Sequence, residues 1–181
     1  GANGSLYVGG IFGGKIQQFD TTGSFIREFG GAPYTGPIMS IAIAPDGSIY
    51  AAEVNSGRVE HFSSTGTSLG VIGSFGTGPG QFQSPTGVAV DADGFIYATD
   101  GLNDNVQKFA PNGTLLMRWG THGSGHGQFD SPYGIAVTHD GTILVGDRQR
   151  AVVQAFAPDS TWLYEWGTEG SGANGSMLRP D

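Results

Sequence analysis

The amino-acid sequence predicts an all-β fold of about four tandem copies of a four-stranded antiparallel sheet, the first copy lacking its inner strand. Three observations predict it. The first is self-similarity at a fixed period: Asp46-Gly47-Ser48, Asp93-Gly94-Phe95 and Asp140-Gly141-Thr142 stand 47 residues apart, and Asn3-Gly4-Ser5 precedes them by 43. Phe19, Phe62, Phe109 and Phe156 keep this register, as do Gly30, Gly73, Gly120 and Gly167. The second is hairpin chemistry, Asp-Gly between β-rich runs, where glycine supplies the positive φ that a tight turn needs. The third is a strand apolar on both sides: Val106 and Phe109 alternate to opposite faces, as do Val59 with Phe62 and Val153 with Phe156.

The third copy displays the elements in order. Gly87-Val88-Ala89-Val90-Asp91 reads as strand a, and the turn Ala92-Asp93-Gly94 leads into strand b, Phe95-Ile96-Tyr97-Ala98-Thr99-Asp100. Asn105-Val106-Gln107-Lys108-Phe109 is strand c, and Pro111-Asn112-Gly113 returns the chain as strand d, Leu115-Leu116-Met117-Arg118-Trp119. A sheet with two apolar faces must be covered on both. Sheets stacked around an axis, as the blades of a β-propeller, supply that cover. The chain then reads as one propeller domain, 1–181, with blades at about 1–39 (incomplete), 40–86, 87–133 and 134–181.

The ends sharpen the expectation. In repeat register Gly1 falls on Ala44, the last residue of strand a, while Pro180-Asp181 matches Pro132-Tyr133, just before a further strand a. Three arrangements fit: an arc or fragment of a larger propeller, an open arc completed by oligomerisation through uncovered edges and faces, or a small ring closed by Met177-Leu178-Arg179-Pro180. Pro180 donates nothing to a sheet ladder, which ranks the ring last.

Composition narrows the function classes. Glycine contributes 33 of 181 residues without a collagen period, and 11 Phe can fill a core. A net charge of −8, spread without runs, offers no footprint for a phosphate backbone, so no nucleic-acid partner is expected. No apolar run approaches the roughly 18 residues of a spanning helix, so membrane insertion is not expected either. The chain has no cysteine, which removes disulfides and thiol chemistry.

The stretch from Gly80-Gln81-Phe82-Gln83-Ser84-Pro85 through Asp100, with Asn105 to Phe109, resembles an NHL repeat, and Gly127-Gln128-Phe129 through Phe156 repeats it. The resemblance extends over nearly the whole chain and implies a propeller, usually of six blades in the family. It leaves function open, since similar proteins include interaction and RNA-binding propellers, a peptidyl-amide lyase with channel histidines as metal ligands, and secreted proteins.

In a propeller, chemistry concentrates where the loops converge near the central channel. The b-to-c loops, Val54 to Gly57, Gly101 to Asp104 and Arg148 to Ala151, share no catalytic residue type; Arg58, Asn103, Asp104, Arg148 and Arg150 stand there as an interaction surface. His122 and His126 are four apart, but the glycines between them forbid the helix that would align two ligands. His61 falls on strand c and His139 in a hairpin turn, and no set matching the lyase histidines appears. Asp91-Ala92-Asp93-Gly94 opens like a calcium loop, yet a hairpin turn accounts for it better. Asp100 and Asp147 end strands b, where short carboxylates bond loop amides. Trp162, Tyr164 and Trp166 form an aromatic stripe, read as blade-to-blade packing rather than a stacking site. Asn3, Asn112 and Asn174 begin sequons open to glycosylation if the chain is exported, and Asn-Gly is equally ordinary turn chemistry.

The sequence therefore points to a non-enzymatic repeat scaffold, extracellular or surface-exposed, that binds a protein partner or copies of itself as a homo-oligomer or polymer. No catalytic, cofactor or metal residue is assigned. The alternatives are a fragment of a metal-dependent lyase or lactonase and an RNA-binding propeller face.

Overall fold

A computed structural model describes residues 4–31 and 36–167. Each sheet is a meander in which neighbouring strands are joined by tight turns. β1 (Leu6–Gly9), β2 (Lys15–Phe19) and β3 (Phe25–Gly30) form a three-stranded sheet. β4 (Ile38–Ile43), β5 (Ile49–Glu53), β6 (Arg58–Phe62) and β7 (Ser68–Ile72) form a four-stranded one. β8 (Ser74–Phe75) and β9 (Gln81–Phe82) pair in parallel inside the next connection. β10 (Pro85–Val90), β11 (Ile96–Asp100), β12 (Asn105–Phe109) and β13 (Leu115–Trp119) make the third sheet. The fourth holds β14 (Pro132–Val137), β15 (Ile143–Asp147), β16 (Val152–Phe156) and β17 (Trp162–Trp166). No helix occurs among the described residues, so none is long and apolar enough to cross a membrane.

The hairpin turns close as their residues require. Asp91 Oδ1 accepts the amides of Asp93 (3.0 Å) and Phe95 (2.9 Å), while Gly94 takes φ +85°. Asp91 is therefore a turn cap, and its second oxygen accepts from the Tyr97 hydroxyl at 3.1 Å.

Three apolar clusters fill the three seams between consecutive sheets. Ile16 meets Ile38, Ile49 and Phe62 in the first, and Phe29 packs edge-on against Phe62 at 5.3 Å. The second joins Val59, Ile72 and Phe82 to Val88, Ile96 and Phe109. In the third, Tyr97 and Val106 meet Phe129, Ile143, Val145 and Phe156. Val106 and Phe109 thus serve different seams, the two-faced packing that their alternation predicts. Burying each such side chain stabilises the stack by about 1.5–3 kcal/mol.

A bulge recurs at one place in each of the four meanders, where the outermost strand pairs with the strand before it: at Gln18/Phe19, His61/Phe62, Lys108/Phe109 and Ala155/Phe156. One extra residue on the outer strand reverses which face its side chains take. Trp162 pairs with Phe156 and packs into the third seam, whereas Tyr164 pairs with Ala155 and Trp166 with Val153 on the opposite face. The aromatic stripe expected from simple alternation is thereby split. Trp162 is a seam residue, stacked on His126 at 3.7 Å, and Tyr164 and Trp166 lie exposed.

Candidate functional site

Carboxylates at the ends of the second strands organise the loop end of the stack. Asp100 is fully buried; its Oδ2 accepts from Gln83 N (2.8 Å) and its Oδ1 from Ser84 N (3.0 Å), fastening the incoming connection. Leu102 N, Asn103 N and Asn103 Nδ2 donate to the same carboxylate, closing the b-to-c loop over it. Asp147 repeats the arrangement with Asp130 N (2.7 Å) and Arg150 N (3.1 Å). Burial pushes its carboxyl above the usual range, against the pull of those amides. In the second sheet the position is Glu53, 1 % exposed, and Arg58 Nε donates to it at 2.8 Å. The same guanidinium reaches Glu60 at 2.7 Å, whose carboxyl is raised by burial and then by the neighbouring Glu53 charge.

These contacts place the five loop residues proposed as a surface. Arg58 is committed to neutralising Glu53 and Glu60. Asn103 is tied to Asp100 and to Gly76 O (2.9 Å). Arg150 donates to Gln128 O (3.0 Å) and Glu165 (3.0 Å), which joins a loop to the outer strand. Arg148 lies 5.9 Å from the Tyr133 ring centroid and is exposed. Asp104 Oδ1 accepts Ser131 N at 2.9 Å, and its Oδ2 lies 3.0 Å from His122 Nδ1.

The glycine-rich connections hold a structure that sequence reasoning missed. Gln107, fully buried, accepts Gly80 N (2.8 Å) and donates to Gln81 O (2.8 Å); Gln154 does the same with Gly127 N (2.9 Å) and Gln128 O (2.7 Å). Gln81 folds back to accept Gly78 N at 3.0 Å, as Gln128 does for Gly125 N at 2.9 Å. A Cβ on Gly76 would lie 2.3 Å from Gln81 Oε1, so this glycine makes room for the fold-back. The repeated Gly-Gln-Phe, paired with glutamine 26 residues beyond its own Gln, was the available signal.

The histidines fall into separate settings. His126 stacks on Trp162 while His122 faces Asp104, so the pair four apart does not share a ligand. His61 stacks on Tyr50 at 4.3 Å, and His139 is exposed in its turn. Asn112 is exposed and accepts Thr114 N at 3.1 Å; Asn3 and Asn174 lie outside the described residues, as does the segment 177–180.

The two outermost sheet faces are the other exposed feature. On the first sheet Leu6 is 58 % exposed, Val8 50 % and Phe25 58 %. Their repeat equivalents in the fourth sheet are Ile143, Val145 and Trp162, all packed in the third seam. On the fourth sheet Trp166 is 44 % exposed, whereas its equivalent Trp119 packs on Phe156 at 5.9 Å. The two faces are thus the two halves of one repeated seam.

Consecutive four-stranded meanders stacked face to face, each linked from its outer strand to the next inner strand, define a β-propeller repeat protein. The family model for the NHL repeat matches residues 82–109. Comparison with the curated proteins finds no match. Among solved structures the chain is similar to a streptogramin B lyase, with 17% identity and TM-score 0.74 over 92% of this chain and 52% of that one. It is also similar to a catalytically inactive virginiamycin B lyase from Staphylococcus aureus with quinupristin: 15% identity, TM-score 0.74, 97% of this chain and 55% of that one. The WD40 domain of Neurospora crassa Pan2 matches at 14% identity and TM-score 0.69, over 91% and 46%. Likeness at these identities shows the fold alone. The chain spans about half the length of these structures.

Proposed function

We propose that this chain is a non-enzymatic NHL-repeat scaffold that acts outside the cell by presenting its two end faces to propeller surfaces, those of further copies of itself first. The observation that carries this reading is the complementarity of the ends: Leu6, Val8 and Phe25 lie exposed at positions whose equivalents are buried against a partner sheet. The opposite face offers Trp166 where Trp119 fills a seam. Charge supports the same reading, since the loop cations Arg58 and Arg150 are engaged by carboxylates of their own chain and do not form a patch for an acidic partner. Association of this kind is heterologous, head to tail, because the two faces differ.

Light scattering across a concentration series tests it. Mass should rise with concentration, and Val8→Lys and Trp166→Glu should each abolish the rise without unfolding the chain, since both sites are solvent-exposed. A particle that keeps the mass of one chain at every concentration overturns the self-assembly reading.

A further inference from the structure

We infer that Asp104, His122 and Asp130 form a site for one divalent transition-metal ion. One ligand atom from each side chain lies within 4.8 Å of the other two, with Asp104 Oδ2 and His122 Nδ1 3.0 Å apart. The donor set, one imidazole nitrogen and two carboxylates, suits zinc and its neighbours. Tetrahedral bonds of about 2.0–2.1 Å bring donors to about 3.4 Å of one another, so closing the set needs only side-chain rotation. His122 is 73 % exposed in its side chain, which leaves room for water to complete the shell.

The repeat supplies an independent argument. The three residues are 18 and 8 apart in sequence, and each departs from its own repeat position. In the preceding seam the equivalents are Gly57, Phe75 and Gln83, none of which binds a metal through its side chain in this pattern. That earlier seam shows the same backbone convergence with different chemistry: a Cβ on Gly57 would lie 2.7 Å from Phe75 Cα. At the fourth sheet Ala151 replaces Asp104 and keeps its left-handed backbone, φ 53° against 50°. The backbone shape is thus achieved with or without the carboxylate, and the turn alone does not require Asp104. Three separate departures meeting at one point, two acidic and one imidazole, are what a metal ligand set demands.

The ion would join the b-to-c loop of the third sheet, the connection after β13 and the entry to β14. It would staple a seam where Asp104 already holds Ser131 N. The site is independent of how the ends of the chain associate.

Titration calorimetry of untagged protein with zinc tests the inference, alongside the visible spectrum of a cobalt-substituted sample. One equivalent should bind, and His122→Ala and Asp130→Asn should each weaken binding at least about tenfold. Asp104→Asn, which tolerates the left-handed backbone, should do the same. His126→Ala should bind as the parent does. No uptake at about 100 µM zinc, or unchanged affinity in His122→Ala and Asp130→Asn, overturns the site.

Discussion

Glu53 is 1 % exposed with Arg58 Nε 2.8 Å away, and that pairing gives the arginine a part in holding the fold. Arg58→Ala would strand a buried carboxylate and should cost about 3–5 kcal/mol, read as a lowered denaturant midpoint. Replacing the pair together with apolar residues should cost less than the single change. His61 gives a pH prediction. Burial holds its imidazole below the usual range, against the pull of Asp46, and its Nε2 is buried without a partner. A depressed folded pKa means that the unfolded chain binds the proton first, so this contribution is present above about pH 6.5 and is lost as pH falls through the folded value. Unfolding midpoints should drop between pH 7.5 and 5.5, and His61→Phe, which keeps the ring, should flatten the change. The ends of the second strands were legible in sequence because a short carboxylate after a strand has few uses besides bonding loop amides. The pairing of Arg58 was not legible, because Glu53 stands where the third and fourth copies have Asp100 and Asp147, and only the structure brings the guanidinium to the longer acid.

At the scale of elements, strands and turns follow closely from the repeated Asp-Gly and the alternation of apolar residues, down to the third-copy strands. Bulges do not. Nothing in Leu163 itself announces that it is the extra residue, so the aromatic stripe was drawn as one face when it serves two. Glycine enrichment in the connections likewise hides their dependence on a distant glutamine. Gln107 carries both a donor and an acceptor into the second seam's connection. Gln107→Leu should leave Gly80 N and Gln81 O without partners and cost about 2–4 kcal/mol. Hydrogen exchange at Gly78 to Phe82 should quicken well before exchange in β12.

For the whole molecule, stability should behave as a sum over sheets and the seams between them, as in other stacked repeats. The fold class was legible because a repeat unit that is apolar on both sides can be satisfied only by neighbours like itself. How far the stack continues was not, because sequence periodicity describes the unit and not the number of units brought together. On the proposed head-to-tail association, the difference between the two end faces has a kinetic consequence. A growing assembly of any length has one place to accept a copy at each end, so a copy with one spoiled face acts as a chain stopper. Val8→Lys, mixed with the parent at a small mole fraction, should shorten the particles far beyond its share, while an inert diluent would leave their length almost unchanged.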